Sequence, residues 1–172
     1  MARRTNASDP TGKSPRVPMR DFSRSLPMSL LRAREAVMRQ FRPSLRSHGL
    51  TEQQWRILRA LAAIDAIEVT ELARTAFLLG PSLSRILRDL EGRHLIERRT
   101  DVADQRRSVV SISAKGLKLM AEVAPTSEAI YAEITRRYGA RKLAELQEML
   151  GALEQSLAGL ALAEEQGADA DE

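Results

Sequence analysis

Apolar positions along most of the chain recur at helical rather than strand spacing. Leu31, Met38, Phe41 and Leu45, with Arg34 in register among them, follow a 3-4-3-4 pattern that predicts an amphipathic helix over residues 28–47. Pro43 lies inside that pattern and is expected to kink its last turn. The stretch "LTEQQWRILRALAAI" opens with a capping box, in which the Thr51 hydroxyl accepts from the backbone of Gln54 and Gln54 reaches back. Trp55, Leu58, Leu61 and Ala62 form its predicted inner face. "VTELARTAFLL" predicts a short helix with Leu72 and Ala73 inward. "GPSLSRILRDLEG" is punctuated as a helix with Gly80 at the N-cap, Pro81 at the first helical position and Gly92 just past the end. Leu83, Ile86, Leu87 and Leu90 supply its buried stripe. The pattern then changes: Leu95-Ile96 and Val109 to Ile112 predict two strands, joined through a polar loop, "RRTDVADQRR", with four arginines and two aspartates.

Beyond the hairpin, a helix from about residue 114 carries Leu117, Met120, Val123, Ile130 and Ile134, and Pro125 is expected to bend it or break it in two. Leu143, Leu146, Leu150, Leu153, Leu157 and Leu160 then repeat at 3-4-3-4-3, a heptad-like seam.

Composition narrows the class. A chain of 172 residues suffices for one domain with a real core. No apolar run approaches the roughly 18 residues of a membrane span, and the N-terminus lacks the apolar region of a secretory signal. The absence of cysteine excludes disulfides, thiol sensors and Cys-ligated zinc, and makes a cytoplasmic location the expectation. A net charge of +4 and a pI near 9.9 point toward a nucleic acid. Residues 1–20 mix Pro, Gly, Ser and basic side chains with little apolar content and are expected to be disordered; the acidic "AEEQGADADE" is expected to be loose as well.

No catalytic site, metal site or cofactor is expected. Two histidines far apart in sequence do not make a three-ligand zinc site, and "GPSLS" lacks the second glycine of a nucleophile elbow. A Gly-rich phosphate loop is missing too.

Two short helices joined tightly and followed by a charged hairpin have the layout of a winged helix-turn-helix, in which the second helix enters the major groove. Ser82, Ser84, Arg85, Arg88 and Asp89 fall on the outer side of that helix. The serines lie near its N-terminus, where the helix dipole favours phosphate or base edges, and Arg85 can read guanine or grip phosphate. The competing reading makes Arg85 and Asp89 a surface i,i+4 pair. An arginine at the tip of the hairpin can enter a minor groove, with Asp104 placed to brace Arg106 and Arg107 adjacent; otherwise the tip is a solvated charged loop. The predicted fold is mainly α with a small β-hairpin wing: a winged helix-turn-helix lobe plus a helical dimerisation region.

Over about residues 26–160 the chain resembles the MarR-type regulators. The most specific part is "DVADQRRSVVSISAKG", similar to that family's wing signature of Asp-x-Arg followed by a strand and Ser/Thr-x-x-Gly. The resemblance implies that Asp104 is the structural aspartate and Arg106 the minor-groove arginine. "LLRAREAVMRQFRPSLRSHGLTEQQWRILRAL" with "LGPSLSRIL" is similar to one subgroup, which contains repressors of homoprotocatechuate (4-hydroxyphenylacetate) degradation operons. That implies a dimer whose DNA affinity falls when a small aromatic acid binds. His94 stands where the family usually has glycine, and Gly92 is expected to take over the helix stop.

The terminal regions are the expected homodimer interface, with Leu143, Leu146, Leu150, Leu153 and Leu157 at its centre, although one such seam also fits within a single subunit. A dimer would space two recognition helices about one DNA turn, ~34–36 Å, apart. Arg34 is the candidate input. A guanidinium on an apolar stripe is costly unless paired, either with Glu35 or Glu52 or with the carboxylate of an effector acid. Met38 lies one turn along. His48 and Trp55 flank the next junction as a donor and an aromatic wall, or else as a loop residue and a core residue. The organisation expected is a basic tail (1–22), a dimerisation helix (23–48), the DNA-binding lobe (49–113), dimerisation helices (114–162) and an acidic tail (163–172). The function implied is an effector-released repressor binding a pseudo-palindromic duplex. The alternatives are an architectural DNA-binding protein without an effector and a helical protein-interaction module.

Overall fold

The computed structural model describes residues 21–100 and 108–168. The chain divides into two compact units, residues 1–39 and 40–172. In the first, a short 3₁₀ turn, Phe22–Arg24, is capped by Asp21, whose carboxylate accepts from the Ser23 backbone at 2.7 Å. Helix α1 (Leu26–Ser47) follows and continues into the second unit. Leu26, Leu30, Leu31 and Val37 are exposed on it.

The second unit holds the core. Pro43 does not end α1, which runs on to Ser47 and buries Phe41 and Leu45. Helix α2 (Glu52–Ala62) begins with the expected reciprocal cap: Gln54 N–H donates to Thr51 Oγ1 at 3.2 Å and Thr51 N–H to Gln54 Oε1 at 2.8 Å. Ile57, Leu58 and Leu61 are fully buried on it, with Trp55 nearly so, while Ala62 is exposed. A two-residue strand, β1 (Ile67–Glu68), which the sequence pattern did not announce, leads into α3 (Val69–Thr75) and α4 (Gly80–Gly92). Strands β2 (Ile96–Thr100) and β3 (Ser108–Ile112) make the wing. The antiparallel sheet has the order β1-β3-β2, with Ile67 opposite Val110 and Ile96 opposite Ile112. β2 is longer than the two residues expected, so Arg98 and Arg99 lie on the strand rather than in the loop.

Helix α5 (Ala114–Tyr138) is continuous through Pro125, contrary to a break there. Pro125 and Ala121, whose carbonyl loses its helical partner, are both exposed, so water can satisfy the freed group. Gly139, at φ +97°, separates α5 from α6 (Ala140–Ala168), which packs on α5 and extends past the expected boundary at 162.

Three helices end in the same hydrogen-bond pattern, with a 6→1 and a 5→2 bond around a left-handed residue. At α1 that residue is Gly49, at φ +66°. At α3 it is Phe77 (φ +49°), with Leu78 N–H donating to Ala73 O at 3.0 Å and Phe77 N–H to Arg74 O at 3.1 Å. At α4 it is His94 (φ +60°), with Leu95 N–H on Leu90 O at 2.9 Å. Gly92 therefore does not stop α4; it is the last helical residue, and His94 takes the strained position itself. The start also shifts by one: Leu79 is the N-cap, Gly80 is helical, and Pro81 is the second residue.

Candidate DNA interface and surface cleft

Helix α4 is two-faced. Leu83, Leu87 and Leu90 are fully buried and Ile86 is half-buried, while Ser82, Ser84, Arg85, Arg88 and Asp89 are exposed on the opposite side. Its first turn carries no acidic side chain, so the positive end of the helix dipole is uncompensated by its own sequence. Among the described residues neither Arg85 nor Arg88 forms an ion pair, which leaves both guanidinium groups available to phosphate or a base edge.

Asp89 has a different task. It accepts from Gln54 Nε2 of α2 at 2.6 Å and lies 3.6 Å from the Arg93 guanidinium. The surface pair with Arg85 does not form. Gln54 thus closes the α2 cap with one end and holds α4 with the other. Two residues on, Arg56 donates to the Ala76 carbonyl at the end of α3 at 2.8 Å. Helix α2 therefore grips both helices of the helix-turn-helix.

The far end of α4 is tied to the wing and α5. Ser113 caps α5 by accepting from Gly116 N–H at 3.0 Å, and its hydroxyl donates to the His94 carbonyl at 2.7 Å. Lys115 donates to Arg93 O at 2.9 Å. A Cβ on Gly116 would lie 2.2 Å from the Leu95 carbonyl oxygen, so only glycine lets α5 approach the start of β2. The Ser-x-x-Gly run is thus a structural clamp. The wing ladder closes with Thr100 opposite Ser108. Asp104, Arg106 and Arg107 belong to the segment between, outside the described residues.

The expected effector residues fall in both units and are described in turn. In the first unit, Arg34 is exposed and donates to Glu35 at 2.8 Å, and Met38 is half-buried. In the second, Arg42 engages Glu52, the other carboxylate considered for Arg34. His48 donates through Nδ1 to the Ser44 carbonyl at 2.8 Å, a local contact at the end of α1. Trp55 is buried, as expected, and lines a cavity of about 250 Å³ together with Arg59, Met120, Ala124, Ser127 and Glu128. The Ser127 hydroxyl is buried without a hydrogen-bond partner. Arg59 has no ion pair among the described residues. Neither Arg59 nor Ser127 was singled out by the sequence pattern, although Arg59 stands one turn after Trp55 on α2.

On α6, Leu143, Leu146 and Leu153 are half-buried, whereas Leu150 and Leu157 are exposed at 41% and 48%. Tyr131, Tyr138 and Met149 are exposed as well.

A helix-turn-helix braced by a three-stranded wing, with an open arginine-bearing second helix, is the architecture of a winged-helix DNA-binding protein. Residues 48–107 match the profile of the MarR family. The chain is 39% identical over 126 residues to the homoprotocatechuate degradative operon repressor of Escherichia coli, covering 73% of this chain and 85% of that protein. The chain belongs to the MarR family, whose members are transcriptional regulators rather than enzymes. Among solved structures it is similar to NadR in complex with 4-hydroxyphenylacetate (37% identity, TM-score 0.69, 80% of this chain and 97% of that one). It is also similar to the repressor CouR bound to a 23-mer DNA duplex (27% identity, TM-score 0.71, 80% and 98%). No helix among the described residues is long and apolar enough to cross a membrane.

Proposed function

We propose that the protein is a dimeric, cytoplasmic repressor of an aromatic-acid catabolic operon, released from its operator by a small phenolic or arylacetic acid. The observation that carries the effector reading is the cavity beside Trp55. It offers an aromatic wall, a guanidinium (Arg59) free to take a carboxylate in fork geometry, and a buried hydroxyl (Ser127) lacking a partner. Its volume, about 250 Å³, suits a single-ring acid. Binding of 4-hydroxyphenylacetate by a relative with 37% identity supports that ligand class.

The cavity lies on α2, which also holds α4 through Gln54 and α3 through Arg56. An acid that favours one placement of α2 can therefore change operator affinity, because only differential binding to two states shifts their equilibrium. Dimerisation is supported by the apolar side chains left exposed on α5 and α6, the segments the sequence assigned to the interface.

The test is fluorescence anisotropy on a labelled operator duplex selected from genomic fragments. Specific, salt-sensitive binding that 4-hydroxyphenylacetate or a related acid reverses supports the proposal. Binding that no aromatic acid reverses identifies an architectural protein, and no specific binding identifies an interaction module.

A further inference from the structure

The turn between α3 and α4 holds two side chains that local physics disfavours. Phe77 occupies a left-handed position at φ +49°, where glycine is usual and a bulky residue is strained, and 77% of its surface is exposed. Leu79 occupies the N-cap of α4, where Ser, Thr, Asp or Asn would bond the free N–H groups. It makes no side-chain cap and is 80% exposed. These are the two most exposed large apolar side chains among the described residues. Each costs the free protein stability at its position, and neither packs into the core.

Their place in the fold supplies the compensating contact. In a helix-turn-helix the N-terminal residues of the second helix meet the base edges of the major groove. Leu79 stands immediately before that helix, with Phe77 two residues earlier. The apolar feature of the major groove is the 5-methyl group of thymine. We infer that Leu79, flanked by Phe77, reads a thymine methyl in each operator half-site, adding an apolar specificity element to the polar contacts of Ser82, Ser84, Arg85 and Arg88. This inference rests on α4 being the recognition helix, as proposed above.

The experiment separates the two ideas. Each thymine of the selected operator is replaced in turn by deoxyuridine, which lacks the 5-methyl and keeps every hydrogen-bonding group. Removing the methyl Leu79 covers should weaken wild-type binding about fourfold per half-site, the equivalent of ~0.8 kcal/mol for one buried methylene-sized group. Leu79→Ser should bind the thymine operator more weakly and lose sensitivity to that deoxyuridine. It also restores an N-cap, so its melting temperature should rise while its affinity falls; a purely structural residue would move both the same way. Phe77→Gly, which relieves the strained turn, should likewise be more stable and bind less tightly. A wild-type protein that binds its operator specifically but is indifferent to every deoxyuridine overturns the inference and leaves the regulator reading intact. So does Leu79→Ser with unchanged operator affinity, the result expected if the patch docks another protein.

Discussion

The side-chain amide of Gln54 donates a 2.6 Å hydrogen bond to Asp89, joining the first turn of α2 to the solvent-facing side of α4. Gln54 is buried and also completes the cap of its own helix, so one side chain sets both the start of α2 and the seating of α4. Gln54→Ala removes the reach-back bond and the bond to Asp89 but keeps the Thr51 cap, so it should lower unfolding stability by about 1–2 kcal/mol, the sum of two partly exposed hydrogen bonds. Operator affinity of the folded fraction should fall as well. Urea denaturation alongside duplex titration checks this, and a variant of unchanged stability would show that Asp89 holds α4 without α2.

Gly116 faces the Leu95 carbonyl so closely that a methyl group has nowhere to go, since the opposing atom is backbone. Gly116→Ala should destabilise the protein by about 1–3 kcal/mol or more, and the damage should concentrate in the wing. Amide hydrogen exchange in β2 and β3 should quicken ahead of α2.

His94 holds a left-handed conformation that costs a non-glycine residue about 1–2 kcal/mol, part of which glycine's greater freedom in the unfolded chain offsets. His94→Gly should therefore stabilise the protein by roughly 0.5–1 kcal/mol, read as a higher denaturant midpoint at an unchanged slope. The carbonyl that accepts from Ser113 is main chain and survives the substitution.

What could be read ahead of the structure follows from which interactions are local. The capping box of Thr51 and Gln54 and the stripe of Leu83, Leu87 and Leu90 were legible because their partners lie within one or two turns. The pairing of Ile67 with Val110 was not, since a two-residue strand carries no periodicity of its own. At Pro125 the sequence left a bend or a break open, and the helix is unbroken, with the carbonyl freed by the proline exposed to water. At Arg34 the sequence left the partner open. Helical register placed it on an apolar stripe and left Glu35, Glu52 and an effector carboxylate as possible partners; the structure shows the Glu35 contact. Arg59 and Ser127 lie on different helices, and only the packing of α2 against α5 brings them to one cavity.

The leucines of α6 test the assembly. Leu150 and Leu157 are exposed while Leu146 and Leu153 are half-buried against the rest of the unit. Leu150→Glu together with Leu157→Glu should therefore convert a dimer to monomers without unfolding each subunit. Sedimentation would report the change, and operator affinity should collapse as the half-sites lose joint engagement. A double variant that remains dimeric would move the interface elsewhere.

The proposed effector cleft sets Arg59 against Arg34. Arg34 is engaged by Glu35, whereas Arg59 lines a cavity containing an unsatisfied hydroxyl and has no ion pair among the described residues. Arg59 is exposed, so a bound carboxylate there gains a two-pronged contact worth about 1 kcal/mol, equivalent to roughly a fivefold change in ligand affinity. Arg59→Met keeps most of the stem and removes the charge. It should fold, bind operator, and require about fivefold more acid for release, with a matching loss of ligand-induced thermal stabilisation. Arg34→Met should respond at the wild-type concentration. The reverse outcome, with Arg34→Met unresponsive and Arg59→Met normal, would return the carboxylate to α1 and leave the Trp55 cavity without its proposed ligand.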